Sequence, residues 1–401
     1  MVDKRVPELR FEGFDGDWEQ RKLGNLATFS KGNGYTKNEL QESGDPIILY
    51  GRLYTKYETV INNVDTFVIK KEKSVISEGN EVIVPASGES AKDISRASVI
   101  DTAGLILGGD LNIIRPNENI NPVFLALTIS NGSQQREMSK RAQGKSVVHL
   151  HNSDLKEVNL LYPSLKEQKQ IGLFFKQLDT TTALHQQKLD QLKRLKQGFL
   201  QILFGNKEQA PKVRFAGFDE EWEQRKLIEV AKYRNGKAHE QNIEENGKYI
   251  VVNSKFVSTN GKVRKYSNTI IEPLKKNELA FVLSDVPNGK AIARTFLVDK
   301  EHIYSLNQRI AGITPHKDID SYFLNILMNR NPYFLKFDNG VGQTNLTKAD
   351  VENFAEKYPS YKEQKKIGTF FKQLDNTINL HQTKLEKLKQ LKQAFLQSMF
   401  I

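Results

Sequence analysis

The sequence predicts an α+β chain, two mixed α/β domains joined by two long helices, and three observations carry that reading. A long amphipathic segment occurs twice, with residues 162–201 and 358–397 identical at 29 of 40 positions at an offset of 196. A shorter opening segment also recurs, 7–23 (PELRFEGFDGDWEQRKL) as 211–227 (PKVRFAGFDEEWEQRKL), identical at 12 of 17 positions. Between opening and helix lie 138 residues (24–161) in the first half and 130 (228–357) in the second. The chain is an internal duplication in the order globular, helix, globular, helix, divided as 1–161, 162–206, 207–357 and 358–401.

Each opening segment carries Arg-Phe, Gly-Phe-Asp and a tryptophan, and Trp18 and Trp222 are the only two tryptophans in the protein. Rings of this size at an element's start are expected to pack the segment against a helix end; a base-stacking platform is the alternative.

The two middles have diverged but share a frame. A Gly-containing polar loop (Lys31-Gly32-Asn33-Gly34; Asn235-Gly236-Lys237) follows the first strand. A strand pair is expected around 80–84 and 277–282, then a strand ending in Pro116 or Pro315, then a helix beginning near Pro122 or Asp320. A Gly-led polar loop, 144–150 or 340–346, closes each middle. Short β-branched runs bounded by Gly, Asn and Asp, with one or two helices, make each a mixed α/β domain.

In the first long segment apolar residues fall at Ile171, Phe175, Leu178, Leu189, Leu192, Phe199 and Leu203. The second places Ile367, Phe371, Leu374, Ile378, Leu385, Leu388, Phe395 and Met399. Steps of four and three make a coiled-coil seam. Each seam also holds a histidine (His185, His381) and a lysine (Lys196, Lys392), polar residues that cost stability and fix register. At 1.5 Å per residue the helix 165–203 reaches roughly 58 Å, more than a compact domain needs, so it is a spacer. The second is expected over 361–399. Each copy most simply packs on the other within the chain, where effective concentration favours it over a homodimer.

Composition bounds the function. The absence of cysteine removes disulfides, thiolate zinc sites and cysteine nucleophiles, and fits a reducing cytoplasm. Residues 1–13 carry no apolar core of a signal peptide, and no run approaches the roughly 18 apolar residues of a membrane span. A net charge of +11, spread along the chain, favours a polyanionic partner.

Several motifs fail on their own terms. Gly144-Lys145-Ser146 resembles the end of a phosphate-binding loop, but Ser139 stands where its first glycine is needed. Asn121-Pro122-Val123-Phe124 and Asn331-Pro332-Tyr333-Phe334 resemble the base-holding motif of amino-methyltransferases without its second proline. An Asn N-cap followed by Pro in the first helical turn explains both better. The seven histidines lack metal-ligand spacing, and His149 and His151 are expected on opposite sides of a strand. No paired carboxylates or serine triad stand out, which argues against catalysis by this chain alone.

What remains is loop chemistry suited to DNA. The first middle offers Lys31, Asn33, Tyr35, Arg52, Ser87, Glu89, Lys92, Arg96, Arg141, Gln143 and Lys145. The second offers Lys237, Asn253, Lys255, Asp285, Asn288, Lys290, Arg294, Asn307, Gln308, Gln343 and Asn345. Arg and Lys match guanine edges and phosphates, Asn and Gln match adenine, and acids accept from cytosine. Two diverged basic domains held apart by rigid helices would read two short sequences separated by an unread gap.

These features resemble the specificity subunit of type I restriction-modification systems. The resemblance rests on the duplicated opening and on Pro163-x-x-x-Glu167-Gln168-x-x-Ile171, repeated as Pro359-x-x-x-Glu363-Gln364-x-x-Ile367 at the start of each long helix. It implies two target-recognition domains, each reading half of a split site, and two helices packed antiparallel as a ruler. It also implies partners: two modification subunits that bind S-adenosylmethionine and methylate adenine, and restriction subunits that use ATP and Mg2+, translocate and cut. No cofactor is then expected on this chain. The other readings are a tandem coiled-coil scaffold that recruits proteins without reading DNA, and an RNA-binding module, which would need exposed stacking aromatics on a sheet.

Overall fold

A computed structural model describes residues 6–142, 147–204, 211–287 and 289–401. The loop Gln143-Gly144-Lys145-Ser146, the polar joint 206–210 and Asn288 lie outside the described residues. The chain forms two compact units, Met1–Gln187 with Gln382–Ile401, and Lys188–His381. Each therefore takes a domain, the helix start that follows it, and the far end of the other long helix.

In the first unit a five-stranded sheet has the order Ala27–Lys31, Leu111–Pro116, Glu81–Pro85, Ser98–Ile100, Val60–Ile61, antiparallel except for the last pair. A four-stranded sheet, Phe67–Val68, Asp45–Ile48, Ile106–Leu107, Val75–Ile76, lies beside it in sequence and shares the 107–111 connection. The central strand Glu81–Pro85 is buried throughout, as the apolar run Val82-Ile83-Val84 requires. Helix Pro122–Ile129 is buried almost all round, and Asn121 caps it by accepting from Phe124 N–H at 3.0 Å. Trp18 packs edge-on against Phe124, centroids 5.7 Å apart, in the expected role.

The second unit repeats this with fewer strands. Ala231–Asn235, Ile310–Pro315, Leu279–Val282 and Thr295–Leu297 form one antiparallel sheet, and Lys265–Ser267, Tyr249–Val252 and Tyr304–Leu306 another. Asp320 caps helix Ser321–Met328 and Asn331 caps Pro332–Leu335, so both Asn-Pro pairs are helix starts. Trp222 lies edge-on to Phe323 at 6.2 Å.

The Glu-Gln step at each long helix start is a clamp. Arg10 donates to both carboxylate oxygens of Glu167, at 2.9 and 2.7 Å, and Arg214 to both of Glu363, at 3.0 and 2.6 Å. Each acid is buried, and the bidentate geometry offsets its desolvation. Gln168 accepts from Asn121 N–H (2.9 Å) and donates to Pro163 O (2.8 Å); Gln364 does the same with Asp320 (3.0 Å) and Pro359 (2.9 Å). The opening segment, the domain's capped helix and the long helix are thus tied at one point.

The long helices run Leu165–Leu203 and Tyr361–Ser398, the second one residue shorter than its pattern suggests. Within the first unit Phe174 meets Phe395 at 5.0 Å, and Phe400 packs on Phe124 and Phe175 at 6.0 and 5.9 Å. Within the second, Phe199 meets Phe370 at 4.9 Å, and Phe204 packs on Phe323 and Phe371 at 5.4 and 6.0 Å. In both units one helix's start lies beside the other's end, which is antiparallel pairing. Most seam residues are buried as expected, with Phe199, Leu388 and Phe395 half-buried, and Ile171, Phe175 and Met399, like the adjoining Phe400, also belong to the domain core with Trp18 and Phe124. The stripe is therefore covered by domain as well as by helix. Among the described residues no helix is long and apolar enough to cross a membrane.

Candidate nucleic-acid interface

Several of the candidate residues lie at one end of each central sheet. Lys31 pairs with Asn112 and Pro85 with Leu111, so the first strand ends and the central strand ends share a rim. Asn235 with Ala311 and Val282 with Ile310 build the same rim in the second unit.

The Gly loop after the first strand is dictated by contact. A Cβ on Gly32 would lie 1.9 Å from Gly108 O, and one on Gly236 2.0 Å from Asn307 O. Only glycine lets the two backbones approach so closely. The adjoining turn carries Asp110 (φ 58°) in one unit and Arg309 (φ 66°) in the other. Asp110 O accepts from Ala86 N–H at 2.8 Å and Arg309 O from Leu283 N–H at 3.0 Å. From there the frame reaches the second loop: Leu150 N–H donates to Ala86 O (3.0 Å) and Leu346 N–H to Leu283 O (2.8 Å). A two-residue antiparallel ladder completes each rim, Ser87–Gly88 with Val148–His149 and Ser284–Asp285 with Thr344–Asn345.

The candidates divide by what their side chains already hold. Tyr35 is buried, accepts from Lys71 N–H (2.7 Å), shares a 2.6 Å bond with Ser74 Oγ, and carries the Lys71 ammonium over its ring. Arg52 donates to Asp65 and Glu58, both at 2.7 Å. Ser87 is buried and its carbonyl accepts from Tyr54, whose phenol burial pushes well above its ordinary range, so it stays a donor. Asn253 caps Ser254–Ser258, and Arg141 spans Glu137 and the Glu157 carbonyl at 2.9 and 3.0 Å. Asp285 accepts from the N–H groups of Val286, Ala291 and Ile292 at 2.9, 2.6 and 3.0 Å, holding its own loop. These six are spent on the protein's own structure.

The exposed set is Lys31, Asn33, Glu89, Lys92, Lys237, Lys255, Lys290, Gln308, Gln343 and Asn345. Asn33 donates to Lys73 O at 2.7 Å, Lys237 pairs with Glu272 at 3.0 Å, and Gln308 reaches Glu240. Arg96, Arg294 and Asn307 are half-buried; Arg96 lies 3.6 Å from Asp93 and over the Tyr57 ring, and Arg294 donates to Lys290 O. Asn307 Oδ1 is buried without a hydrogen-bond partner. Gln143, Lys145 and Asn288 lie outside the described residues.

The expected placement of the two histidines is corrected. His149 and His151 are both exposed on one side, rings parallel to within 3° and 6.3 Å apart, with buried Leu150 pointing the other way. Extended backbone alternates faces with a period of two, so positions i and i+2 share a side. Sequence reasoning set them aside as non-ligands and missed them as rim residues. Their signal was alignment, because at the offset of 196 His149 falls on Asn345.

The fold and its rims define a duplicated α+β protein whose two domains each present a polar, basic edge and exchange helix ends. This chain belongs to the type I restriction modification DNA specificity family, whose model matches residues 15–194 and again 219–390. It is 22% identical to the type I restriction enzyme MjaVIII specificity subunit of Methanocaldococcus jannaschii, over 99% of this chain and 93% of that one. In fold it is similar to the type I restriction-modification S subunit from M. genitalium, with a TM-score of 0.67, 16% identity and 99% of both chains covered. It is also similar to a chain from a structure of type I system assembly and conformational transition, with a TM-score of 0.50, 15% identity, and 94% and 96% covered.

Proposed function

We propose that this chain is the DNA-recognition subunit of a type I restriction-modification complex, in which each domain reads one half of a bipartite duplex site. The observation that carries the reading is the doubled rim. The same backbone frame, Gly32 to Leu150 and Gly236 to Leu346, presents different exposed polar side chains in the two units. A conserved frame with altered outward chemistry suits two unlike half-sites. Lys and Arg set affinity through phosphates, and the amides and acids choose bases. The long helices fix the unread gap.

The partners are two modification subunits, which bring S-adenosylmethionine and methylate adenine, and restriction subunits, which bring ATP and Mg2+ and cleave. This chain supplies no catalytic group and holds no cofactor, and it works in the cytoplasm. The test is to co-express it with its modification subunit and map methylated adenines across a genome by single-molecule sequencing. One split motif with unlike halves is the expected result. An assembled, S-adenosylmethionine-binding complex that adds no methylation would favour the protein-recruiting scaffold.

A further inference from the structure

The two ladders keep a buried serine and the buried leucine that follows, and change the exposed residue between them. Ser87 faces His149 across one ladder, and Ser284 faces Asn345 at the matching place in the other. Both serines are buried, and so are the residues that follow, Leu150 and Leu346. With the frame fixed, what differs at the exposed position is an imidazole in one unit and a carboxamide in the other.

The next outward position differs too. Thr347 is consumed by its helix cap, accepting from Asp350 N–H at 3.2 Å and donating to the Asp350 carboxylate at 2.7 Å. His151 meets Asp154 through its backbone N–H at 2.8 Å and carries its ring outward beside that of His149. The first ladder thus shows two imidazoles and the second shows one amide. Among the described residues Asn345 Nδ2 makes only a long 3.4 Å bond, to Gln343 O, which a base edge can displace.

We propose that this ladder position sets one base of each half-site, Asn345 reading adenine in one and His149, flanked by His151, donating to guanine in the other. A carboxamide places a donor and an acceptor side by side, the pattern that adenine N6 and N7 complement. An imidazole N–H supplies the donor that guanine N7 or O6 accepts. The assignment rests on the reading of the two domains as half-site readers.

The test uses the full chain assembled with its modification subunit and selects bound duplexes from a randomised DNA library. Wild-type complex yields two half-motifs. With Asn345→Ala, preference for A·T at a single position of one half falls about 5- to 140-fold, the equivalent of a lost bidentate contact at 1.4 kcal/mol per tenfold. The other half and the gap stay as they were. His149→Ala relaxes one G·C position of the opposite half, and Asn345→His moves its position away from adenine. Asn345→Ser and His149→Gln, with the same readout, serve where an alanine variant assembles poorly. Variants that return the wild-type motif undiminished, or that blur both halves together, overturn the ladder assignment and leave two-domain reading intact. A wild-type complex that selects no split motif removes the functional reading itself.

Discussion

Lys392, near the end of the second long helix, donates to Asp179 in the first, and Lys196 donates to Asp375 at 2.5 Å, the same pair displaced by 196 at both residues. The lysines stand on the helix seam, where an unpaired ammonium would be costly. Each is matched by an acid near the start of the opposing helix. This fixes antiparallel order and register as apolar contacts alone would not.

A half-buried pair of this kind lies between exposed and fully buried ones in strength. Lys392→Ala is expected to destabilise the first unit by about 1–2 kcal/mol. The double exchange Lys392→Asp with Asp179→Lys should recover most of that loss. Thermal melts of the two single variants and the double variant measure the coupling; strict additivity would mean that the pair contributes nothing to register.

Glu167 is buried beneath the Arg10 fork, with its neighbour Gln168 holding the Asn121 cap. Glu167→Ala leaves a half-buried guanidinium unpaired and is expected to cost about 3 kcal/mol. Glu363→Ala should do the same to the second unit through Arg214. Hydrogen exchange resolved by segment will place each loss in its own unit, and protection lost equally in both would contradict this local account.

The buried acid at the start of each central strand finds its arginine on a different neighbour. Arg115 approaches Glu81 (3.5 Å) and donates to Ser30 (3.0 Å), whereas Arg234 reaches Glu278 (2.7 Å) and Thr314 donates to the same acid at 2.6 Å. Arginine and hydroxyl have traded strands between the duplicated halves. Arg115→Thr should therefore destabilise the first unit by about 2–4 kcal/mol, and adding Ser30→Arg should restore a large part. Chemical denaturation of the three variants checks it.

At the rim, Gly236→Ala drives a Cβ into Asn307 O and must displace the turn that carries Asn307 and Arg309. Selection in the second half-site should degrade while the first half-motif remains, read by the same library selection. Gly34→Ala, which meets no atom within 4 Å, is the neutral control for the opposite loop.

The Lys56 ammonium and the Arg52 guanidinium hold the Asp65 carboxylate down to about 2, below its ordinary 3.8. A depressed acid contributes stability that is present above the unfolded value and lost as pH falls through the folded one. The first unit should therefore lose this contribution between about pH 4 and pH 2. Asp65→Asn should flatten the acid limb of its pH–stability curve; an unchanged slope there would show that the pair does not act on folding.

The sequence alone made the duplication, the seam, the capped Asn-Pro helices and the packing role of both tryptophans legible, because each shows as a repeated or local pattern of residue types. The rims were only partly legible. Composition marks Tyr35, Arg52 and Asp285 as available polar groups, and only the folded contacts with Ser74, Asp65 and the Ala291 amide reveal that they are spent. His149 was hidden for the opposite reason: its role follows from pairing with Ser87, sixty-two residues away, which no local pattern encodes.

The exchange of helix ends also orders the protein's synthesis. The second unit, Lys188–His381, is contiguous and can close as soon as its last residue leaves the ribosome. The first domain is translated earlier, yet Met399 and Phe400 complete the core around Phe124 and Phe175. The domain made first is thus the last to be completed, its core closed only by the end of a helix whose start belongs to the other unit.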